Sequence, residues 1–352
     1  MGHEVIVACE RTSDAKERKT YKGARLEFFP FMPPEKYSLR KIYEGLNDIY
    51  FYLKLSRKCD VMYILAGLGT QILPFLRLLN PKIRIVTNND GLEWKRAKYN
   101  FVERTLWKSF IRSSMRFSNL VIHDNPKLID FFPRINRKNT ISIPYGVEEQ
   151  SKKSWSFDKL PEKLRNSSDM KSLSPGDYFI IIARLQEDNN SHIAIEGFIN
   201  SNSSKKLLVV GDPQDPRYLD KLKSIDPRPG DGRIIFSGSI YDSEALGMHR
   251  QHSFAYIHGH SAGGTNPSLL EAMSDKLAII AHDNPFNRNV LDDTGLFFSS
   301  SYQISRSIER IEGDKDFRQK IRSSNFQRSR MKFTWKKCME THEKAFEALV
   351  MQ

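Results

Sequence analysis

Within residues 254–275, FAYIHGHSAGGTNPSLLEAMSD, an apolar run of strand length, a loop of small residues and a helix start follow one another without a break. Phe254 to Ile257 read as a buried parallel strand, Gly259 to Thr265 as a tight loop, and Asn266 to Ser274 as a helix. Gly263 and Gly264 let the backbone approach a ligand closely, and the first turn of the helix offers unpaired N–H groups at the positive end of its dipole. Asn266 is a favoured N-cap, and Pro267 takes the favoured first helical position. Glu271, about one turn further on, is expected to face the same crevice and to accept hydrogen bonds from a ribose diol. The combination predicts a site for a diphosphate and a pair of sugar hydroxyls.

The same alternation runs through the chain. In the second half YFIIIAR (178–184), KLLVVGD (206–212), RIIFSG (233–238), LAIIAHD (277–283) and LFFSS (296–300) read as strands, with helices from His192, near Tyr218 and near Glu244 between them. In the first half HEVIVAC (3–9) reads as a short buried strand, followed by the extended ARLEFFPF (24–31) and a helix from Leu39 to Ser56. DVMYILAG (60–67), a helical segment from Gln71 to Leu79 and RIVTNN (84–89) come next. Strands separated by helices predict an α/β fold with parallel sheets covered on both faces. Two such runs predict two Rossmann-like domains, residues 1–150 and 151–333, joined within Gly146 to Pro175, and a terminal helix over 334–352.

At 352 residues and 39% hydrophobic content the chain has enough apolar residues for two ordinary cores. Three scattered cysteines, Cys9, Cys59 and Cys338, exclude a disulfide framework and fit a reducing, cytoplasmic setting. No apolar stretch reaches the roughly 20 residues of a membrane span. The formal charge of +13 is concentrated in residues 1–150, where 26 Lys and Arg face 16 Asp and Glu; the remainder has 29 against 26. An acidic partner is implied, a phosphate-bearing substrate or an anionic membrane surface. Nucleic acid is the weakest reading, because no RNA- or DNA-binding motif accompanies the charge.

GHSAGGTNPSLLEAM resembles the donor-site signature of GT-B nucleotide-sugar glycosyltransferases of the large retaining family that builds surface polysaccharides, and its GGTNPSLLEA form is most similar to the bacterial rhamnosyltransferase branch. NDGLEWKRAK (89–98) resembles the same branch, where it forms the acceptor side of the cleft. The resemblance implies two Rossmann-like domains facing across a cleft, a last helix crossing back onto the first domain, and transfer of a sugar, rhamnose from dTDP-rhamnose as first choice, to a saccharide or polyprenyl-linked saccharide. It also implies a first strand, a Gly-rich turn and a helix ahead of GHEVIV, so the first domain is expected to lack its N-terminal βα unit, either by truncation or in a rebuilt sheet. Three departures stand out. The family's Glu-x7-Glu keeps only Glu271, since Gly263 occupies the earlier position; a family lysine is Asn190 here; and a family His-Asp pair is Asn89-Asp90, with His123 a candidate substitute.

Further residues carry candidate chemistry. Arg184 ends a strand at the mouth of the second sheet, where a guanidinium can clamp a diphosphate bidentately. The loop FSGSIYD places Ile240 and Tyr241 where backbone and ring can meet a nucleobase. Asn89, Asp90, Glu93, Lys95 and Arg96 crowd the mouth of the first sheet around Trp94 as an acceptor pocket, with Asp90 expected to orient the acceptor hydroxyl. Arg104, Lys108, Arg112 and Arg116 recur every four residues opposite Val102, Leu106, Phe110, Ile111 and Met115, an amphipathic helix suited either to a core with a wet face or to anionic headgroups. His258 and His260 form H-x-H, but no third ligand at suitable spacing completes a metal site. The expected enzyme is a retaining glycosyltransferase of hexosyl type needing neither metal nor cofactor beyond its nucleoside-diphosphate sugar. The alternatives are a non-catalytic GT-B-like partner protein and a sugar-nucleotide epimerase.

Overall fold

In the first half of the chain the strands build two small sheets. The computed structural model describes residues 2–13, 18–65, 69–89, 91–95, 99–135, 137–148, 151, 153–228 and 232–351. β1 (Ile6–Cys9) lies parallel to β3 (Ala24–Phe28), which pairs antiparallel with β2 (Thr20–Tyr21) across a turn at Lys22 and Gly23. After helix α1 (Tyr37–Leu55) come β4 (Val61–Leu65), α2 (Leu73–Leu79), β5 (Arg84–Asn88), α3 (Phe101–Phe117), β6 (Leu120–His123) and β7 (Thr140–Ser142). The last four strands form a parallel sheet in the order β4-β5-β6-β7. α1 joins the two sheets: its Tyr43, Phe51 and Tyr52 share one core with Phe29 after β3 and with Met62 and Ile64 of β4.

The expectation of a buried HEVIVAC strand is corrected. Val5 and Val7 are 49% and 40% exposed, because β1 bonds only to β3 and β4 only to β5, leaving one edge of each sheet without a strand alongside among the described residues. A parallel strand is buried on both faces only when neighbours and helices flank it. α1 likewise exposes Leu39, Ile42, Leu46 and Leu53, a stripe at helical spacing.

The second half continues through the single-turn helices α4 (Glu162–Arg165) and α5 (Ser168–Lys171) into β8 (Tyr178–Ile182), α6 (Ser191–Ile199), β9 (Lys206–Val210), α7 (Pro216–Ser224) and β10 (Ile234–Gly238). α8 (Ser243–Gln251), β11 (Ala255–His258), α9 (Pro267–Ser274), β12 (Ala278–His282), α10 (Pro285–Leu291) and β13 (Leu296–Phe298) follow, and α11 (Ser301–Gly313), α12 (Lys315–Lys332) and α13 (Trp335–Val350) end the chain. The six strands form one parallel sheet, ordered β10-β9-β8-β11-β12-β13. Its unbroken apolar runs have a simple cause: alternate residues serve opposite faces. Tyr178, Ile180, Leu208 and Val210 enter the core under α8 and α9, whereas Phe179, Ile181, Leu207 and Val209 enter the one under α6 and α11. The strand order reverses between β8 and β11, and at such a switch point the loops diverge and leave a crevice.

α13 returns to the first domain. Its Cys338 and Leu349 pack with Val86, Ile122 and Ile143, the Arg84 Nε donates to the Leu349 carbonyl at 2.9 Å, and His342 Nε2 lies 3.2 Å from the Tyr63 hydroxyl. Gly146 permits the crossing, since a Cβ there would stand 2.3 Å from the Trp335 nitrogen. Among the described residues no helix is long and apolar enough to cross a membrane.

Candidate active site

At the switch between β8 and β11 a cavity of about 230 Å3 opens, walled by the loops after β6, β8, β11 and β12. Arg184, Gly263, Gly264, Thr265 and Asn266 line it together. Arg184 lies two residues beyond β8, where the Asn189 side chain donates to its carbonyl at 2.7 Å and sets the turn. Its guanidinium is exposed, with no carboxylate partner among the described residues. Gly263 adopts φ 123°, which residues with a Cβ rarely adopt. Asn266 caps α9, its Oδ1 accepting the Ser268 N–H at 3.0 Å, so the helix start is fixed and opens on the cavity.

One wall comes from the first domain. Asp124, just past β6 and 3% exposed, accepts the Thr265 N–H through Oδ2 at 2.9 Å, while the Thr265 hydroxyl donates to the Asp124 carbonyl at 2.7 Å. Gly264 has to be glycine for this approach, because a Cβ would lie 1.7 Å from the Asp124 Oδ1. The Thr265 amide, expected to be open to a phosphate, is therefore engaged by a carboxylate in this conformation. Asp124 is a site residue that sequence reasoning missed; its partner lies 141 positions away, and the motif VIHDNP drew attention only to His123. His123 is buried, with Nδ1 3.0 Å from the Asn125 carbonyl and its pKa lowered by burial, and it does not line the cavity.

Four other donor-side candidates lie outside the cavity lining. Asn190 takes a left-handed conformation, φ 48°, and donates its side-chain amide to the Gly259 carbonyl at 2.8 Å. Ile240 is 4% exposed in the core, so only its backbone is left to meet a base, and Tyr241 is 88% exposed with its hydroxyl 3.3 Å from Asp212. Glu271 accepts from the buried Arg250 at 2.7 Å, which also pairs with the fully buried Asp275. The Arg250 contact turns part of the Glu271 carboxylate away from a ligand, although its side chain stays 39% exposed. His258 is fully buried, stacked on His260 at 4.5 Å, and burial pushes its pKa well down, so it stays neutral.

On the acceptor side, Asp90 and Arg96 lie outside the described residues. Asn89 and Glu93 line a second cavity, at the carboxyl end of β5. Lys95 places its ammonium 3.8 Å from the Phe131 ring centroid, and desolvation there lowers its pKa. Along α3, Ile111 and Met115 are buried as expected, but Val102 and Leu106 are 64% and 49% exposed, next to Phe101 at 83%. They precede the part of α3 that packs, where Ile111 to Met115 meet the core, and so lie on no wall.

Residues 165–328 match the family described as glycosyl transferases group 1, and residues 3–148 match a domain of unknown function (DUF1972). An uncharacterized glycosyltransferase of Methanocaldococcus jannaschii is 24% identical over 353 residues, covering 94% of this chain and 85% of the relative. HepE of Anabaena in complex with UDP superposes with a TM-score of 0.71 at 15% identity, covering 93% of this chain and 87% of its own. Sucrose-phosphate synthase of Thermosynechococcus elongatus gives 0.71 at 15%, covering 95% and 85%. The chain thus has the GT-B fold, and its two parts match separately, residues 165–328 the glycosyl transferases group 1 model and residues 3–148 the domain of unknown function.

Proposed function

We propose that this protein is a retaining, metal-independent glycosyltransferase that moves a sugar from a nucleoside diphosphate onto a saccharide, free or polyprenyl-linked. The convergence of Arg184, the Gly263–Gly264 backbone and the capped start of α9 on one switch-point cavity carries the reading. Opposite the leaving diphosphate, a guanidinium and a helix N-terminus stabilise the charge that develops as the glycosidic bond breaks. Transfer on the same face needs no protein nucleophile. Asp90 orients the acceptor hydroxyl, and the exposed part of Glu271 accepts from the ribose. Rhamnose from dTDP-rhamnose rests on the resemblance of the two motifs; that HepE was solved with UDP-glucose supports the class of donor. Exposed Lys108, Arg112 and Arg116 beside Phe101, Val102 and Leu106 suit peripheral docking on the anionic cytoplasmic face of a membrane, where a polyprenyl-linked acceptor resides.

The test is incubation of the full chain with dTDP-rhamnose or UDP-glucose and saccharide acceptors, following the released nucleoside diphosphate and the glycoside, with and without EDTA. Glycoside formation unchanged by EDTA is expected; loss of product on chelation would overturn the metal-free mechanism. The divided sheet of the first domain favours a second reading, a nucleotide-sugar-binding partner without transfer activity. Nucleotide binding without any product would establish it.

A further inference from the structure

Helix α1 is apolar on both sides. Its core side holds Tyr43, Phe51, Tyr52 and Leu55, as a helix packed on a sheet requires. The opposite side holds Leu39, Ile42, Leu46 and Leu53, 49%, 61%, 56% and 39% exposed, with the partly exposed Ile49 before the last, and no described element covers them. An outer helix face ordinarily carries the charges. On α1 the charged residues turn to the flanks instead: Arg40 donates to Glu10 at 2.8 Å and to Glu44 at 3.3 Å, Lys41 pairs with Glu103 on α3, Lys54 donates to Glu27 of β3 at 2.7 Å, and Asp48 lies beside Gly69. The outward face is left without a charge.

Leu39, Ile42, Leu46, Ile49 and Leu53 recur at steps of three and four, the a/d spacing of a seam along which a second helix lies. Gly45 sits beside that seam. A glycine inside a helix costs about 1 kcal/mol relative to alanine, yet a Cβ there would meet nothing within 4 Å, so no neighbour within the chain requires it. Close crossing by a second helix does, because the side chains at the contact set how near two helix axes come. The seam reads Leu, Ile, Leu, Ile, Leu from either end, and its ends differ in charge: exposed Glu35 precedes α1 and exposed Arg57 follows it. Two identical helices laid antiparallel bring each Glu35 to the Arg57 end of the other and oppose their dipoles, whereas a parallel pair sets like charges together. Such a face is its own complement about a two-fold axis. A bilayer suits it less, since helices that dock on membranes present cations beside their apolar face, and Arg40, Lys41 and Lys54 are held by carboxylates. We infer that the outward face of α1 is a self-association surface, antiparallel on the same face of a second copy, with exposed Phe31 and Met32 at its rim, where the Phe31 carbonyl accepts from the Tyr43 hydroxyl. A stable dimer buries about 800 Å2 per partner, so this smaller face gives a reversible pair with a micromolar dissociation constant, and in dilute solution α1 is bare. The pairing does not depend on what the site transfers.

The experiment is sedimentation velocity of the full chain over a series from submicromolar to hundred-micromolar concentration, with a reversible monomer–dimer equilibrium expected. Leu46→Glu sets a carboxylate in the seam and Gly45→Leu fills the crossing point, and each should weaken association about a hundredfold. Both positions are open in the single chain, so the far-UV spectrum should not change. Glu35→Arg and Arg57→Glu should each weaken the pair severalfold, and the double variant should restore it. A chain that stays monomeric throughout, or a dimer indifferent to Leu46→Glu and Gly45→Leu, overturns the surface. Failure of the double variant to restore the pair overturns the antiparallel arrangement. Binding to phosphatidylglycerol vesicles that Leu46→Glu abolishes, in a chain without dimers, reassigns the face to a membrane and overturns it as well.

Discussion

Asp124, like Asp188, brings a carboxylate to the wall of the cavity that Arg184 and the start of α9 share, and it holds the Thr265 amide that a phosphate would use. Asp124→Asn keeps an acceptor for that amide and removes the charge, so free nucleoside diphosphate should bind about 1 kcal/mol more tightly. Titration showing equal or weaker affinity would place the diphosphate away from Asp124. Glu271→Gln should weaken binding of a nucleoside diphosphate and leave inorganic diphosphate unaffected; equal losses would make Glu271 a partner of Arg250 alone. The residues legible in the sequence, Arg184 and Gly263 to Asn266, belong to local motifs whose backbone geometry follows from neighbours in the chain. Asp124 and the Arg250–Glu271 pair were not legible, because what each meets is decided by how distant segments pack, 21 positions apart for the ion pair and 141 for Asp124 and Thr265.

At the scale of elements, α1 holds a titratable weak point. Burial, and then the nearby Glu44 and Glu10, raises the Asp48 pKa to about 6. A carboxyl raised in the folded state stabilises the fold fully below its unfolded pKa near 4, and this contribution is lost as the pH rises through about 6. Asp48→Asn should therefore stabilise the first domain at pH 7.5 by an amount on the order of 2 kcal/mol, read as a higher melting temperature, and change little at pH 4. An equal shift at both values would exclude Asp48 as the cause. α3, with Lys108, Arg112 and Arg116 exposed, should give liposome co-sedimentation that falls as salt is raised; retention at high salt would argue against headgroup docking. The central strands β8, β9, β11 and β12 were readable because a strand covered on both faces is apolar at nearly every position. HEVIVAC has the same appearance but a different fate, since composition does not say whether a neighbouring strand is present.

Across the whole molecule the two domains are unequally closed. Among the described residues the second has one six-stranded sheet with a core on each face, and the first has a sheet of three strands and one of four, with Leu39, Ile42, Leu46, Leu65 and Val7 at the surface. Exposed apolar area and unpaired strand edges lower local stability, so amides of β1, β3 and α1 should exchange with solvent well before those of β8 to β12. Equal protection would contradict this. The alternation of strands and helices made two Rossmann-like domains legible, whereas the division of the first sheet is a matter of pairing, which periodicity does not encode. The most direct test of a nucleoside-diphosphate site at the switch point is calorimetric titration of dTDP and of UDP into the full chain and into Arg184→Ala. One-to-one binding is expected, weakened by about 1.5–3 kcal/mol in the variant at an unchanged melting temperature; failure of both nucleotides to bind, or equal affinity in the two proteins, would contradict it.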